Sequence, residues 1–335
     1  MLTNKNFFKN QTILITGGTG SFGKAFVNFL LQKKYVFKKL IIFSRDELKQ
    51  FEMSKQFTNH NIRFFLGDIR DKDRLKLAIR DVDILIHAAA LKQVPAAEYN
   101  PIEFIKTNIL GSQNIIEALM DSSVKKVIAL STDKASSPAN LYGATKLCSD
   151  KLFISANNIL GKQNIKFSVV RYGNVFGSRG SVVPTFLELK KKVGHFNLTH
   201  PEMTRFNITL DEAINFVIFS IKIMKGAEIF VPKIPSFYIR DLAAAMDNNL
   251  KIKITGIREG EKLHEEMISR NESRMSFQSD DCYVVTSPKS YNFYLNSKFK
   301  KVIDGFEYRS DNNKIFLNPI ELKKIFKSYL TNNLK

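Results

Sequence analysis

The sequence predicts an α/β protein built on a doubly wound parallel sheet of the Rossmann kind, with a smaller, discontinuous C-terminal α/β substrate domain. Three observations predict it. Short apolar runs rich in β-branched residues alternate with helical stretches through the first half of the 335 residues. A glycine cluster ends the first of these runs, and the alternation breaks after about Gly173. Buried strands that alternate with helices pair in parallel, because the crossover helices cover both faces of the sheet.

The elements follow in order. Residues 12–16 (TILIT) form a first strand, and 22–31 show helical periodicity. Further strands are read at 39–43 (KLIIF), 62–66 (IRFFL), 83–87 (DILIH), 126–130 (KVIAL) and 167–171 (FSVVR). Residues 179–183 are rich in glycine and turn formers. Residues 209–224 read as a long helix with Thr209 as N-cap and Asp211 and Glu212 in its first turn. Residues 228–231 (EIFV) return a strand to the sheet, short helices and strands follow from Pro235, and a last amphipathic helix spans 319–330. The expected division is a dinucleotide-binding unit at 1–174, rejoined by 207–233, and a second unit mainly within 175–335.

The first strand runs into TGGTGSFG at 16–23, where Gly17, Gly20 and Gly23 make G-x-x-G-x-x-G. Glycines at this spacing permit a tight turn, close approach to a pyrophosphate and close helix–strand packing, with the helix N-terminus facing the phosphates. Thr19, Ser21 and Phe22 belong to the same loop. Gly18-x4-Gly23-Lys24 also matches a P-loop as far as its lysine, but Ala25 stands where a hydroxyl would hold magnesium, which disfavours an ATPase or kinase.

The second strand ends in Ser44-Arg45-Asp46. An acidic residue there accepts from the ribose of NAD, whereas an arginine clamps the 2′-phosphate of NADP. Arg45 comes first and favours NADP, and Asp46 reads equally well as the cap of the next helix. Asp68, followed by Ile69, is either an acceptor for an adenine amino group or an ordinary turn aspartate. Ala88, Ala89 and Ala90 after the fourth strand let a cofactor pass closely, and Asn108 is counted among the cofactor contacts.

Ser131-Thr132-Asp133-Lys134 ends the fifth strand, and Tyr142-Gly-Ala-Thr-Lys146 follows. Tyrosine and lysine at i, i+4 share a helix face. A phenol beside an ammonium can act as a base near neutral pH, because the cation favours phenolate. Asp133 and Lys134 add an acid and a base side by side, more than a simple alcohol oxidation needs. The added task is the removal of water from an oxidised sugar.

Composition narrows the classes. The chain is 44% hydrophobic and 25% charged, as expected of a folded soluble protein. Its net charge of +19 is dispersed, with a longest basic run of Lys190-Lys191-Lys192. Such a field suits a multiply anionic small molecule better than nucleic acid. The two cysteines, Cys148 and Cys282, read as reduced thiols, and no metal spacing surrounds them or the five histidines. The N-terminal residues lack the apolar core of a signal peptide, and the apolar stretch 213–224 contains Asn215 and Lys222 and is too short to span a bilayer. A cytoplasmic enzyme without a membrane anchor is expected.

Taken together, these residues resemble the extended short-chain dehydrogenase/reductase family, and within it the inverting UDP-N-acetylglucosamine 4,6-dehydratases of pseudaminic acid biosynthesis. The resemblance covers nearly the whole chain, through TGGTGSFG, SRDELKQ, HAAALK, LSTDKA, NLYGATKL, RYGNVFGSRGSVVP, MTRF, EIFVPKIPS and GIREGEKLHE. It implies a hydro-lyase that acts on UDP-N-acetylglucosamine with bound NADP regenerated each turnover, and a 4-keto-6-deoxy product inverted at C5. It also implies a homo-oligomer, often a hexamer, and a place in flagellin glycosylation. The nucleotide-sugar contacts it implies are Lys92, Asn174, Ser178, Arg179, Thr204, Arg205, Arg258 and Glu261. Four positions depart from the family pattern: Gln93 for His, Ser137 for Asn, Asn207 for an aromatic residue, and Ala227 for Gly.

On this reading Tyr142, its pKa lowered by Lys146, takes the proton of the sugar 4-hydroxyl while Thr132 holds the 4-oxygen. Lys134, with a lowered pKa, removes the C5 proton, and a protonated Asp133 gives a proton to the departing 6-hydroxyl. Either Lys134 or Tyr142 returns the proton to C5. The alternatives are a retaining dehydratase, a 4-epimerase of the same fold, and a non-catalytic nucleotide- or RNA-binding protein.

Overall fold

The computed structural model describes residues 4–161, 163–178 and 180–333. The first strand, β1 (Thr12–Thr16), is buried along its whole length and leads into helix α1 (Ser21–Gln32). Strands β2 (Lys39–Ser44), β3 (Ile62–Leu66), β4 (Ile84–His87), β5 (Lys126–Thr132) and β6 (Lys166–Tyr172) follow. Each lies within about two residues of its predicted span. Helix α2 (Glu47–Gln56) starts on Asp46, whose carboxylate accepts from the Lys49 amide at 3.0 Å. Asp46 therefore takes the capping role rather than facing a ribose.

Among the described residues the main sheet has ten strands. Seven run parallel, in the order Glu228–Pro232, β6, β5, β4, β1, β2, β3. The returning strand is thus the one expected at 228–231. Beyond it Cys282–Thr286, Ser276–Gln278 and Lys300–Lys301 extend the sheet antiparallel. These three come from the stretch expected to serve mainly the second unit. The order reverses between β1 and β4, which opens a crevice at their carboxyl ends, the usual binding place in such sheets. Gly17, at φ +65°, turns the chain there, and a Cβ on it would come within 2.7 Å of Ala89 Cα.

A second apolar core lies apart from the sheet, around Val183, Phe186, Phe196, Met203, Leu242 and Leu322. It is built on the helix Val182–Lys192, which begins inside the segment read as turn-rich, on Ile239–Met246 and on the final helix Pro319–Asn333. The long helix Leu210–Ile223 carries the expected Thr209 cap, completed by Glu212 in a capping box. Ser137 and Ala227 both sit at positive φ, 43° and 69°. These are two of the four departures from the family pattern, at places where Asn or Gly would relax the backbone.

Candidate active site

Strand β5 ends at Thr132, and the chain then makes a single tight turn at Asp133–Ala135, where the Lys134 amide donates to Thr132 Oγ1. The helix Leu141–Ala156 begins on Asn140, whose side chain accepts from the Gly143 amide at 2.8 Å. This helix packs directly on the turn. A Cβ at Gly143 would lie 2.2 Å from the Lys134 carbonyl oxygen, so only glycine between Tyr142 and Ala144 permits the approach. In this way a local motif brings Tyr142 beside the Asp133–Lys134 turn.

Thr132, Asp133, Lys134, Tyr142 and Lys146 all line one cavity of about 750 Å³. The cavity also reaches Gly17, Gly20, Ser21, Phe22, Ala88 and Ala90 at the β1/β4 crevice. From the substrate set it takes in Lys92, Asn174, Ser178, Arg205, Arg258 and Glu261. Gln93 and Asn207, the other two departures, line it as well. A second, smaller pocket gathers Thr19, Ser44, Arg45, Asp68, Ile69 and Ala89.

Some expectations need correction. Thr204 is fully buried below the cavity, where its hydroxyl pairs with His264 and Ser310, so it holds the wall rather than a ligand. Asn108 is also buried, and its amide group is used by the Leu91 backbone and the Thr145 hydroxyl. Gly23 serves helix packing, since a Cβ there would meet the Gly18 carbonyl at 2.1 Å. Both carboxylate oxygens of Asp68 accept from Arg70, which is the turn role. Arg179 lies outside the described residues.

The electrostatics reverse two assignments. Lys134 was expected to have a lowered pKa. Its Nζ instead sits 3.1 Å from Asp133 Oδ1 and 2.8 Å from Glu265 Oε1, and these carboxylates hold its pKa above the ordinary lysine value. Tyr142 was expected to be lowered by Lys146. Burial pushes its phenol up to about 12, and the cation that opposes this most is Lys134. Lys146 is lowered by its own burial, with the Asp150 carboxylate one turn along the helix opposing. Asp133, buried and facing Glu265, has a raised pKa despite Lys134, as a proton donor needs.

Other residues were not singled out from the sequence. Glu265 and Lys262 line the cavity from a segment more than 120 residues away from the turn. Lys262 Nζ donates to the Ser136 carbonyl, and Glu266 accepts from Ser136 and Ser137. Nothing in that charge-rich segment marks which carboxylate turns inward. Asp150 was open to discovery, because it stands i+4 from Lys146. Its carboxylate takes the Ser131 hydroxyl at 2.8 Å and lies 3.4 Å from Arg171, a fully buried arginine also paired with Glu272. His87 is buried between Thr16 and Ser112, and burial followed by the Lys146 charge brings its pKa down to about 3. It is a neutral structural group.

Residues 13–287 match the polysaccharide biosynthesis protein family. The chain is 53% identical over 327 residues to a UDP-N-acetylglucosamine 4,6-dehydratase (inverting) of Campylobacter jejuni, covering 95% of this chain and 98% of that protein. A UDP-glucose 4-epimerase of Rickettsia bellii is 38% identical over 327 residues, covering 95% and 96%. Among solved structures, Pen from Bacillus thuringiensis superposes with a TM-score of 0.88 at 38% identity, covering 96% of this chain and 99% of that one.

Proposed function

We propose, from the premise that this chain belongs to the polysaccharide biosynthesis protein family and groups with the inverting UDP-N-acetylglucosamine 4,6-dehydratases, that it removes water from UDP-N-acetylglucosamine and inverts C5. The observation that carries the proposal is the acid–base set of the buried carboxyls Asp133 and Glu265 with the part-buried Lys134 beside Tyr142 in one cavity. An oxidation alone needs only Tyr142, Lys146 and Thr132.

The glycine end fits a dinucleotide. Gly20 caps α1 with no side chain over the helix N-terminus, and Ser21 and Phe22 line the cavity there. Arg45, half-exposed, and Lys49 line the small pocket, which supports NADP over NAD. The chemistry this cofactor supplies when bound is hydride transfer, from C4 at the start and to C6 at the end.

The protein groups then divide the proton work. Tyr142 takes the proton of the 4-hydroxyl in its phenolate form, which the Lys134 charge favours against burial, and Thr132 steadies the 4-oxygen. The resulting ketone acidifies the C5 hydrogen. Asp133, whose raised pKa suits a proton carrier, takes the C5 proton on Oδ2 and gives it to the leaving 6-hydroxyl, which departs as water. Lys134, as an ammonium, returns a proton to C5. Asp133 Oδ2 is buried without a hydrogen-bond partner among the described residues, which leaves it open to receive that proton. Arg258 suits the diphosphate by bidentate pairing and Asn174 and Glu261 suit sugar or ribose hydroxyls, while the Arg205 guanidinium is taken up by the Thr204 and Leu263 carbonyls, Glu261 and Glu265 and shapes that wall. The product serves pseudaminic acid synthesis, and the enzyme works in the cytoplasm as a homo-oligomer.

The Rickettsia relative favours a second reading, 4-epimerisation. That reaction uses Tyr142, Lys146 and Thr132 and leaves Asp133 and Lys134 without a task. The mass of the product formed from UDP-N-acetylglucosamine separates the two. Loss of one water supports dehydration, and a product isobaric with the substrate supports epimerisation.

A further inference from the structure

Lys134 is gripped from two directions. Asp133 Oδ1, its neighbour in the turn, lies 3.1 Å from Nζ, and Glu265 Oε1 arrives at 2.8 Å from the distant 256–265 segment. Glu265 itself is 1% exposed and is fixed at its backbone. Its amide donates to Ser310 Oγ, and its carbonyl accepts from the Ser310 amide at 2.8 Å. Arg205 Nε adds a second cation 3.6 Å from the same Oε1, and the same guanidinium reaches Glu261 at 3.5 Å. The charged and titratable groups that face Lys134 are therefore Asp133 on its own turn, Glu265 and Lys262 on the distant segment, Arg205 on the strand Thr204–Ile208, and Tyr142 on the helix.

We propose that Glu265 is a positioning residue for Lys134: it fixes the side chain against Asp133 and keeps it an ammonium, so that Lys134 enters the reaction as a proton donor. Breaking the pair would leave the buried Glu265 carboxylate without its nearest cation, which is costly, while Lys134 keeps 22% of its side chain exposed toward the cavity. Without Glu265 the balance around Lys134 would be one carboxylate against Arg205 and Lys262, and its proton would leave more easily. The donor role rests on the dehydratase reading, but the charge state and its dependence on Glu265 do not.

The test follows the ionisation of Lys134 directly. Lysine labelled with carbon-13 at Cε is incorporated, and the Lys134 signal is identified by its loss in Lys134→Arg. In the wild-type protein the signal should stay in its charged position beyond about pH 10, the ordinary lysine midpoint. In Glu265→Gln the midpoint should fall by about one unit or more. Glu265→Asp, which keeps the charge, should restore most of the shift. A wild-type midpoint near neutrality, or an unmoved midpoint in Glu265→Gln, would overturn the proposal. If Glu265→Gln does not fold, the wild-type and Glu265→Asp titrations still decide it. Absence of sugar turnover in the wild type would count against the dehydratase reading and leave the titration result intact.

Discussion

The β5 turn and the tyrosine helix each present one lysine to the same cavity, and the two stand in opposite surroundings. Lys134 on the turn lies between two carboxylates, which hold it charged. Lys146 on the helix is buried with Asp150 as the carboxylate opposing its desolvation, and its pKa falls. The difference teaches that a motif names a residue but does not set its charge. The YxxxK spacing puts Lys146 on the tyrosine's face, yet the cation with the stronger effect on the phenol is Lys134. Glu265, brought in by the tertiary fold, lies 2.8 Å from that cation.

This contrast can be broken most severely at the turn. Asp133→Asn combined with Lys134→Ala should lower water elimination about a thousandfold or more while dinucleotide binding, read by calorimetry, is retained. Unchanged turnover would remove the turn from the chemistry. The helix side is tested by Asp150→Asn. Asp150 raises the Lys146 pKa, so its neutralisation lets Lys146 lose its proton at lower pH. Where the ammonium is the working form, the alkaline limb of kcat should move down by about one unit. A limb that moves up, or none, would contradict the role given to Asp150.

Arg45→Ala leaves both lysines alone and tests the cofactor end they share. Loss of a charged hydrogen bond to phosphate should cut the preference for NADP over NAD about tenfold, measured as the ratio of the two dissociation constants. The smallest effect is expected far from the cavity. Ala227→Gly relieves a left-handed alanine, should raise stability by up to about 1 kcal/mol in thermal unfolding, and should leave turnover unchanged.

The sheet was legible because its signals are local. Each of β1 to β6 is a short apolar run, and the glycines after β1 and the Thr209 cap depend only on neighbours within a turn or two. The tyrosine–turn contact was legible for the same reason, since Gly143 lies inside the motif. The helix at Val182–Lys192 was missed because glycines and serines just before it read as continued turn. Glu265 was missed because its partners lie 60 and more than 120 residues away, at Arg205 and Lys134. Thr204 was misassigned because a buried hydroxyl in the wall and an exposed one on a ligand look alike in a motif.

The most direct measurement is NMR of the sugar formed from UDP-N-acetylglucosamine in deuterated water. The proposed inverting dehydration predicts a 4-keto-6-deoxy sugar with deuterium at C5 and ring couplings changed by inversion. A product that keeps its 6-hydroxyl, or a C5 centre without deuterium, would contradict it.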